Sequence, residues 1–226
     1  MTDHDPNSTE NADADAQADE GLRLDAIEAR VLGCLVEKAA TTPDSYPLTL
    51  NSAVLACNQK SNRNPVMKLE SGRVGQALRA LEMKGLVRRE DSARATRFSH
   101  TAARGLNVTP QQLAVVAVLL LRGPQTLNEL LARTERLAGF DDAEDLEHAM
   151  ERLAGREPPM VVRLPRGAGQ REDRYMHLLS GPVEAEAPAA GPAGAFSPEP
   201  EDSLAERLAR LEQRVAELEE RLQDDT

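Results

Sequence analysis

The chain has 226 residues, of which 40% are hydrophobic, 29% are charged and 2% are aromatic, values typical of a soluble globular protein of one or two domains with polar tails. With three Phe, two Tyr and no Trp, it lacks the aromatic platforms on which proteins usually stack single-stranded nucleic acids. The net charge of −11 argues against a polyanionic partner for the chain taken as a whole.

The charge is unevenly distributed along the chain. Residues 1–25 carry eight Asp or Glu and one Arg, and residues 182–226 carry twelve acidic residues and four Arg. Residues 58–104, by contrast, carry eleven Lys or Arg and four acidic residues, a net charge of +7. A negatively charged partner would therefore meet residues 58–104.

The first 21 residues contain almost no apolar side chain to bury, so residues 1–21 are predicted to be a disordered acidic tail. We expect this tail to be a solvating segment, with competition against DNA for the basic region as the alternative. It has no apolar segment of the secretory-signal type. The longest apolar run of the chain, residues 113–121, is far shorter than the roughly 20 residues that span a bilayer, so we expect a cytoplasmic protein without membrane contact.

A first domain, residues 22–106, is predicted to contain three helices. The first two span residues 25–38 and 49–57, and their apolar stripes include Cys34 and Cys57, which we expect to be small buried hydrophobes. The third helix begins at Ser71 and runs for about three turns. Its apolar stripe has i, i+3, i+4 and i+7 spacing and consists of Val74, Ala77, Leu78 and Leu81. Its opposite face carries Arg73, Gln76, Arg79 and Met83.

Two short strand-like runs, residues 86–89 and 95–98, follow the third helix and flank a polar turn. This is the order of a winged helix, in which the third helix enters the DNA major groove and the hairpin contacts phosphates. The residues predicted to meet base edges are Arg73, Gln76 and Arg79. The residues predicted to hold phosphates are Lys60, Arg63, Lys68, Arg88, Arg89, Arg94 and Arg97. About five phosphate contacts would make log affinity fall against log salt with a slope of about −4 to −5.

The segment between the second and third helices, residues 58–65, is rich in Asn and longer than the tight turn of a plain helix-turn-helix. Its amides and two cations either clamp phosphates or satisfy the ends of the flanking helices. Both interpretations are equally supported, because Asn-rich turns often serve as helix caps.

A second domain, residues 107–181, is predicted to repeat this plan without the basic charge. Capping boxes at Thr109 and Thr126 begin an apolar helix and then a short helix through Leu131. The third helix, residues 142–154, exposes mainly carboxylates, which disfavour contact with phosphates. The exposed side of this helix consists of Glu144, Asp145, Glu147, His148 and Glu151.

A second hairpin is predicted from residues 160–164 and 174–179. Arg166 and Arg171 in its turn either touch phosphate or pair with acidic residues of the same domain. Strand alternation places Asp173, Tyr175 and His177 on one face. A hydrogen-bonded pair is a better explanation for that arrangement than a small site.

The carboxyl-terminal part is predicted to be a Pro/Ala/Gly linker, residues 182–202, followed by a coiled-coil helix, residues 203–223. Its seam alternates spacings of four and three and consists of Leu204, Leu208, Leu211, Val215, Leu218 and Leu222. The flanking charges favour a parallel homodimer, because Arg207 would face Glu212 of the partner helix and Arg214 would face Glu219. Fewer than three heptads are marginal alone, so docking of this helix on the protein body is the alternative.

Several long motifs occur in the order found in one bacterial family. They are DAIEARVLGCLVEK at residues 25–38, TTPDSYPLTLN at 41–51, ACNQKSNRNPVM at 56–67, LLLRGPQT at 119–126, VVRLPR at 161–166 and REDRYMHLLSG at 171–181. Over residues 22–181 the chain resembles the YceH family, whose biochemical function is unassigned. The resemblance implies two winged helices in tandem, and hence a mainly α protein with small β-hairpins of the α+β class. It implies no reaction, ligand or target.

Catalytic and metal-binding motifs are missing from the sequence. No two of the four histidines have metal-ligand spacing, and no nucleotide-binding or nucleophile motif occurs. We therefore expect no enzyme activity, no metal and no cofactor. The leading hypothesis is a dimeric DNA-binding protein of the transcription-regulator type. The alternative is a protein-interaction or scaffold module that uses its winged helices and coiled coil for assembly and binds no nucleic acid.

Overall fold

A computed structural model of the chain describes residues 22–92, 95–166 and 170–183. The predicted acidic tail, residues 184–202 of the predicted linker and the whole coiled-coil seam from Leu204 to Leu222 lie outside these residues, as does Arg94. Within the described residues the fold belongs to the α+β class, with seven α-helices and two small antiparallel sheets. None of the helices in the described ranges has both the length and the apolar composition needed to cross a membrane.

The helices and strands follow in this order: α1 Ala26–Thr41, β1 Leu48–Thr49, α2 Leu50–Cys57, α3 Ser71–Met83, β2 Val87–Asp91, β3 Thr96–His100, α4 Ala102–Gly105, α5 Pro110–Arg122, α6 Leu127–Ala138, α7 Ala143–Ala154, β4 Val161–Leu164 and β5 Arg174–His177. A single 3-10 turn, Pro43–Ser45, separates α1 from β1. Three of the long helices begin at a full capping box. The boxes predicted at Thr109 and Thr126 are confirmed, and Asp25 forms a third with Glu28 at the start of α1.

Helix α6 extends seven residues beyond the predicted end at Leu131. Its apolar stripe continues through Leu137, and the intervening core position is filled by Thr134, which is fully buried. The Thr134 hydroxyl donates a hydrogen bond of 2.8 Å to the carbonyl of Leu130, one turn earlier. A polar residue at a core position interrupted the apolar pattern, although its hydroxyl is satisfied within the helix.

The first sheet has three strands in the order β1-β3-β2. Strand β1 was not predicted, because two residues are too few to show an alternating pattern. It pairs with β3 through Leu48 and Phe98, and β2 pairs with β3 from Val87 opposite His100 to Asp91 opposite Thr96. The second sheet consists of β4 and β5, with Val161 opposite His177.

A continuous hydrophobic core extends across the predicted domain boundary at residues 106 and 107. Helix α1 packs directly on α5, and the amide of Leu24 donates to the carbonyl of Leu179 at 2.7 Å. The close approach of the two helices occurs at Gly33. A Cβ there would lie 2.8 Å from Cγ of Leu121 and 3.2 Å from Cβ of Leu120. The two halves of the described chain are therefore packed as one unit.

We expect Gly33→Ala to lower the free energy of unfolding by about 1–3 kcal/mol, because the added methyl overpacks the contact between α1 and α5. Gly75→Ala in α3 is the matched control. Its Cβ would meet atoms only at 3.8 Å or beyond, so the better helix propensity of Ala should stabilise that variant by about 0.5–1 kcal/mol. Urea denaturation followed by circular dichroism measures both changes. Equal stability of the two variants would contradict the close packing at Gly33.

Candidate nucleic-acid interface

Helix α3 presents a polar face that is not engaged by the rest of the described chain. Its apolar stripe is buried as predicted, with Val74, Leu78 and Leu81 fully covered. The side chains of Arg73, Gln76 and Arg79 are exposed. Within the described ranges, none of these three has a hydrogen-bond or ion-pair partner, so their donors are open to a ligand.

The exposed face of α3 has a definite centre. At about 100° per residue, Gln76, Arg79 and Met83 fall within a band of about 60° opposite the buried stripe. Arg73 lies at one flank of this band, and Glu82 lies at the other. Met83 is 83% exposed, which places an apolar side chain among the polar ones at the carboxyl-terminal end of the face.

The first turn of α3 differs from that of the other long helices in the described chain. Its N-cap residue, Glu70, makes no side-chain capping bond. The backbone amides of Ser71, Gly72 and Arg73 therefore point outward without a protein partner, as first-turn amides do in the absence of a cap. A Cβ at Gly72 would meet no atom within 4 Å, so the surface beside this turn is open.

Arg63 is buried and does not belong to this surface. It is 5% exposed, and its guanidinium pairs with Glu37 through Nη1 to Oε1 at 3.1 Å and Nη2 to Oε2 at 2.5 Å. The other three N–H groups donate to the carbonyls of Ala56 and Asn62 and to the side-chain oxygen of Gln59. All five donors are thus used inside the protein. Arg63 is therefore not available for the predicted contact with phosphate, because its guanidinium is hydrogen-bonded within the protein.

A second buried arginine, Arg30 on α1, holds the same loop. It is 1% exposed and donates to the carbonyl of Cys57 at 3.2 Å and to the carbonyl of Pro65 at 2.6 Å. Burial lowers its pKa from the ordinary value. Asn58 adds two hydrogen bonds to the backbone of Leu69. Arg63 and Asn58 therefore bond to the loop and the helix ends, as one of the two interpretations of residues 58–65 predicts, and not to phosphates.

Lys60 and Lys68 are the cations of this loop that remain exposed, and neither has a partner within the described ranges. They lie on either side of the buried Arg63, on the segment that leads into α3. The loop is therefore anchored from the inside by arginines and presents lysines on the outside.

The described arginines of the β2–β3 hairpin, Arg88, Arg89 and Arg97, are exposed but bonded to nearby groups. Arg88 pairs with Glu90 at 2.8 Å, and Arg89 pairs with Asp91 at 3.0 Å. Arg97 donates to the backbone carbonyl of Pro47 at 2.7 Å. Exposed ion pairs of this kind contribute little to stability, so an incoming phosphate can replace either carboxylate at little cost.

The hairpin does not bring all its arginines to one face. Cross-strand partners share a face of the sheet, so Arg88, opposite Ser99, lies with Arg97, which is opposite Glu90. Arg89 lies on the other face, opposite Phe98, whose side chain is buried. Among the described arginines of this hairpin, Arg88 and Arg97 are the two that share a face of the sheet.

The two cysteines are free and buried, as predicted. A hydrogen bond from the Cys57 thiol to its neighbour Cys34, together with burial, raises the pKa of Cys57. The Cys57 thiol therefore stays protonated at neutral pH and behaves as part of the core.

The second half of the described chain offers no comparable basic helix. The acidic side of α7 is exposed as predicted, and its apolar residues are buried. In the β4–β5 hairpin, Asp173 accepts from Nε of Arg163 at 2.7 Å and from the amide of Arg166 at 2.9 Å. His177 is 4% exposed on the buried side of β5. Asp173 is therefore satisfied by its own hairpin, in agreement with the interpretation as a hydrogen-bonded pair.

Relatives of the chain are found by comparison with known sequences. A family model described as Protein of unknown function, DUF480, matches residues 24–170. A UPF0502 protein of Xanthomonas campestris is 53% identical over 203 residues, which are 88% of this chain and 90% of the relative. One from Stenotrophomonas maltophilia is 54% identical over 202 residues, covering 88% and 92%. One from Azotobacter vinelandii is 60% identical over 156 residues, covering 69% of each chain. These matches confirm the resemblance to the YceH family, and the chain belongs to the family described as DUF480.

Proposed function

We propose that the protein is a dimeric DNA-binding protein of the transcription-regulator type, in which α3 enters the major groove of duplex DNA. The observation that supports this proposal is the open face of α3, where Arg73, Gln76 and Arg79 are exposed and unpartnered within the described residues. Arginine can donate two hydrogen bonds to guanine, and glutamine can donate one to N7 of adenine while accepting one from its N6 amino group. A helix about 20 Å long with such side chains at its centre has the dimensions of a groove-binding element.

The architecture that we propose is a winged helix in each half of the chain. In the first half, α1, α2 and α3 precede the β2–β3 hairpin, and β1 completes the sheet. In the second half, α5, α6 and α7 precede the β4–β5 hairpin in the same order. The exposed side of α3 is basic at Arg73 and Arg79, whereas the exposed side of α7 is mainly acidic, so the first half is the one that we assign to DNA.

Phosphates would be held beside the groove by cations from the loop before α3 and from the hairpin after it. The exposed cations that we assign to this role are Lys60, Lys68, Arg88 and Arg97. Four such contacts predict that log affinity falls against log salt with a slope of about −4. Dimerisation through residues 203–223 would set two α3 helices on neighbouring half-sites.

We expect the double variant Arg73→Glu/Arg79→Glu to bind a mixed-sequence duplex about 100-fold more weakly at low salt, because two donors to bases become two repelled carboxylates. Fluorescence anisotropy with a labelled duplex at two salt concentrations measures this loss and the salt slope. The matched control is Arg136→Glu/Arg152→Glu, which makes the same change of net charge at exposed positions on α6 and α7. Equal weakening by both double variants, or no binding by the unaltered protein at low salt, would refute the proposal.

A second candidate function is a protein-interaction module, and the exposed acidic face of α7 favours it. The carboxylates of Glu144, Glu147 and Glu151 lie on one exposed side of that helix. A partner that co-purifies after nuclease treatment, and that is retained by Arg73→Glu/Arg79→Glu, would support this second function.

A further inference from the structure

We propose that the acidic segment at residues 1–20 occupies the open face of α3 when no DNA is bound and thereby competes with DNA. This inference rests on the proposed function, because it assigns an internal regulator to the same surface. The proposed ligand of α3 is thus a segment of the same chain. Three observations identify it: where the segment joins the described structure, how far it can reach, and its charge.

The segment joins the structure beside the carboxyl-terminal end of α3. Lys84, the C-cap of that helix, donates through Nζ to the backbone carbonyl of Arg23 at 2.7 Å. The same Nζ pairs with Glu28 on α1 at 2.6 Å. These contacts fix the chain at residue 23 against the end of the helix. The segment that precedes residue 22 is therefore attached near the carboxyl-terminal end of α3.

The length of the segment is sufficient to cover the helix. Thirteen residues of α3 extend over about 20 Å at 1.5 Å per residue. Twenty residues of extended chain can span up to about 65 Å. Every side chain on the open face is therefore within reach of the segment from its attachment point, and a tethered ligand of this kind has an effective concentration of about millimolar.

The charges of the two surfaces are complementary. Residues 1–20 contain seven Asp or Glu and no Lys or Arg. The open face offers Arg73 and Arg79 without partners in the described chain, and Lys68 lies just before the helix. Two exposed carboxylates, Glu70 and Glu82, mark the ends of the same helix. The carboxylates of the segment are thereby directed to the arginines between them.

The test compares three full-length proteins: the unaltered chain, a variant with the seven acidic residues of 1–20 changed to Asn or Gln, and a variant with the order of residues 2–20 shuffled at constant composition. We expect the neutral variant to bind duplex DNA about tenfold more tightly at low salt, and the shuffled variant to bind like the unaltered chain. The difference should vanish at high salt. Equal affinity of all three proteins at low salt would overturn the inference.

A second measurement, made without DNA, tests whether residues 1–20 contact the open face of α3. The neutral variant should change the backbone amide resonances of α3 relative to the unaltered chain, and it should leave those of α7 unchanged. Resonances of α3 that do not respond would overturn the inference whatever the DNA assay shows. A different outcome is that none of the three proteins binds DNA while the amide resonances of α3 still change in the neutral variant. That result would refute the proposed function and support the contact between residues 1–20 and α3.

Discussion

Replacing Arg63 by alanine should lower the free energy of unfolding by about 3–5 kcal/mol. Breaking a buried ion pair by removing one partner leaves the other charge without compensation, and this is among the most destabilising single changes in proteins. The Arg63 side chain has no exposed surface, and that of Glu37 is 15% exposed. The variant also leaves the carbonyls of Ala56 and Asn62 without the donors that they have now.

The pKa of Arg63 agrees with a strong pair. Burial is the largest single influence and acts to lower this pKa, but the hydrogen bonds to Glu37, the charge of Glu37 and the nearby Cys34 and Cys57 together raise it above the ordinary value. The charged form is therefore the stable one in the folded protein, and the pair stays ionised. The carboxylate of Glu37 is consequently required for the guanidinium to remain in the interior.

Chemical denaturation measures the predicted loss, with Arg88→Ala as the matched control. Arg88 also forms an ion pair, with Glu90, but its side chain is 68% exposed, so its removal should cost at most about 1 kcal/mol. A double variant, Glu37→Leu/Arg63→Met, should recover much of the loss, because it removes both charges together. A change of less than about 1 kcal/mol for Arg63→Ala would show that the loop does not depend on this pair.

The amphipathic helix α3 could be predicted from the sequence because its signal is local. Apolar residues at helical spacing choose the buried face, and the opposite face follows from geometry. The β2–β3 hairpin was predicted for the same reason, although each strand begins one residue later and runs on two residues past its predicted end. Such elements depend on neighbours a few residues away, and the sequence contains those neighbours in order.

The position of Arg63 could not be predicted, because its environment depends on residues far away in the chain. Glu37 lies 26 residues earlier, on another helix, and nothing in the Asn-rich segment indicates it. The burial of Arg30 was missed because arginines on a predicted helix are normally assigned to its exposed side. One available signal was the position of Arg30 directly before Val31, on the border of the apolar stripe of α1.

The net charge of residues 58–104 therefore overstates the charge that a ligand can meet. Arg63 is used internally, Lys84 is paired with Glu28, and Arg88 is paired with Glu90. The open cations of this region are fewer, and they are concentrated on α3 and the loop before it. Counting charges would assign the whole region to the proposed interface, whereas in the described residues the open cations lie mainly on one helix face and at its borders.

We expect His177 to make the fold less stable in acid, by about 3 kcal/mol at pH 4 relative to pH 7. Burial lowers the pKa of this histidine to about 4 in the folded protein, against about 6.5 in the unfolded chain. The unfolded chain therefore takes up a proton as the pH falls below about 6.5, while the folded protein takes it up only near pH 4. Stability is retained above about pH 6.5 and is lost between these two values.

The measurement is the free energy of unfolding at pH 7 and pH 4 for the unaltered protein and for His177→Phe. The titration of carboxylates and of His100, whose pKa burial also lowers, contributes to both proteins, so the difference between their pH dependences isolates His177. His148→Phe makes the same substitution at an exposed position on α7 and is the matched control. The same acid sensitivity in the unaltered protein and in His177→Phe would mean that the imidazole is hydrated in the folded state.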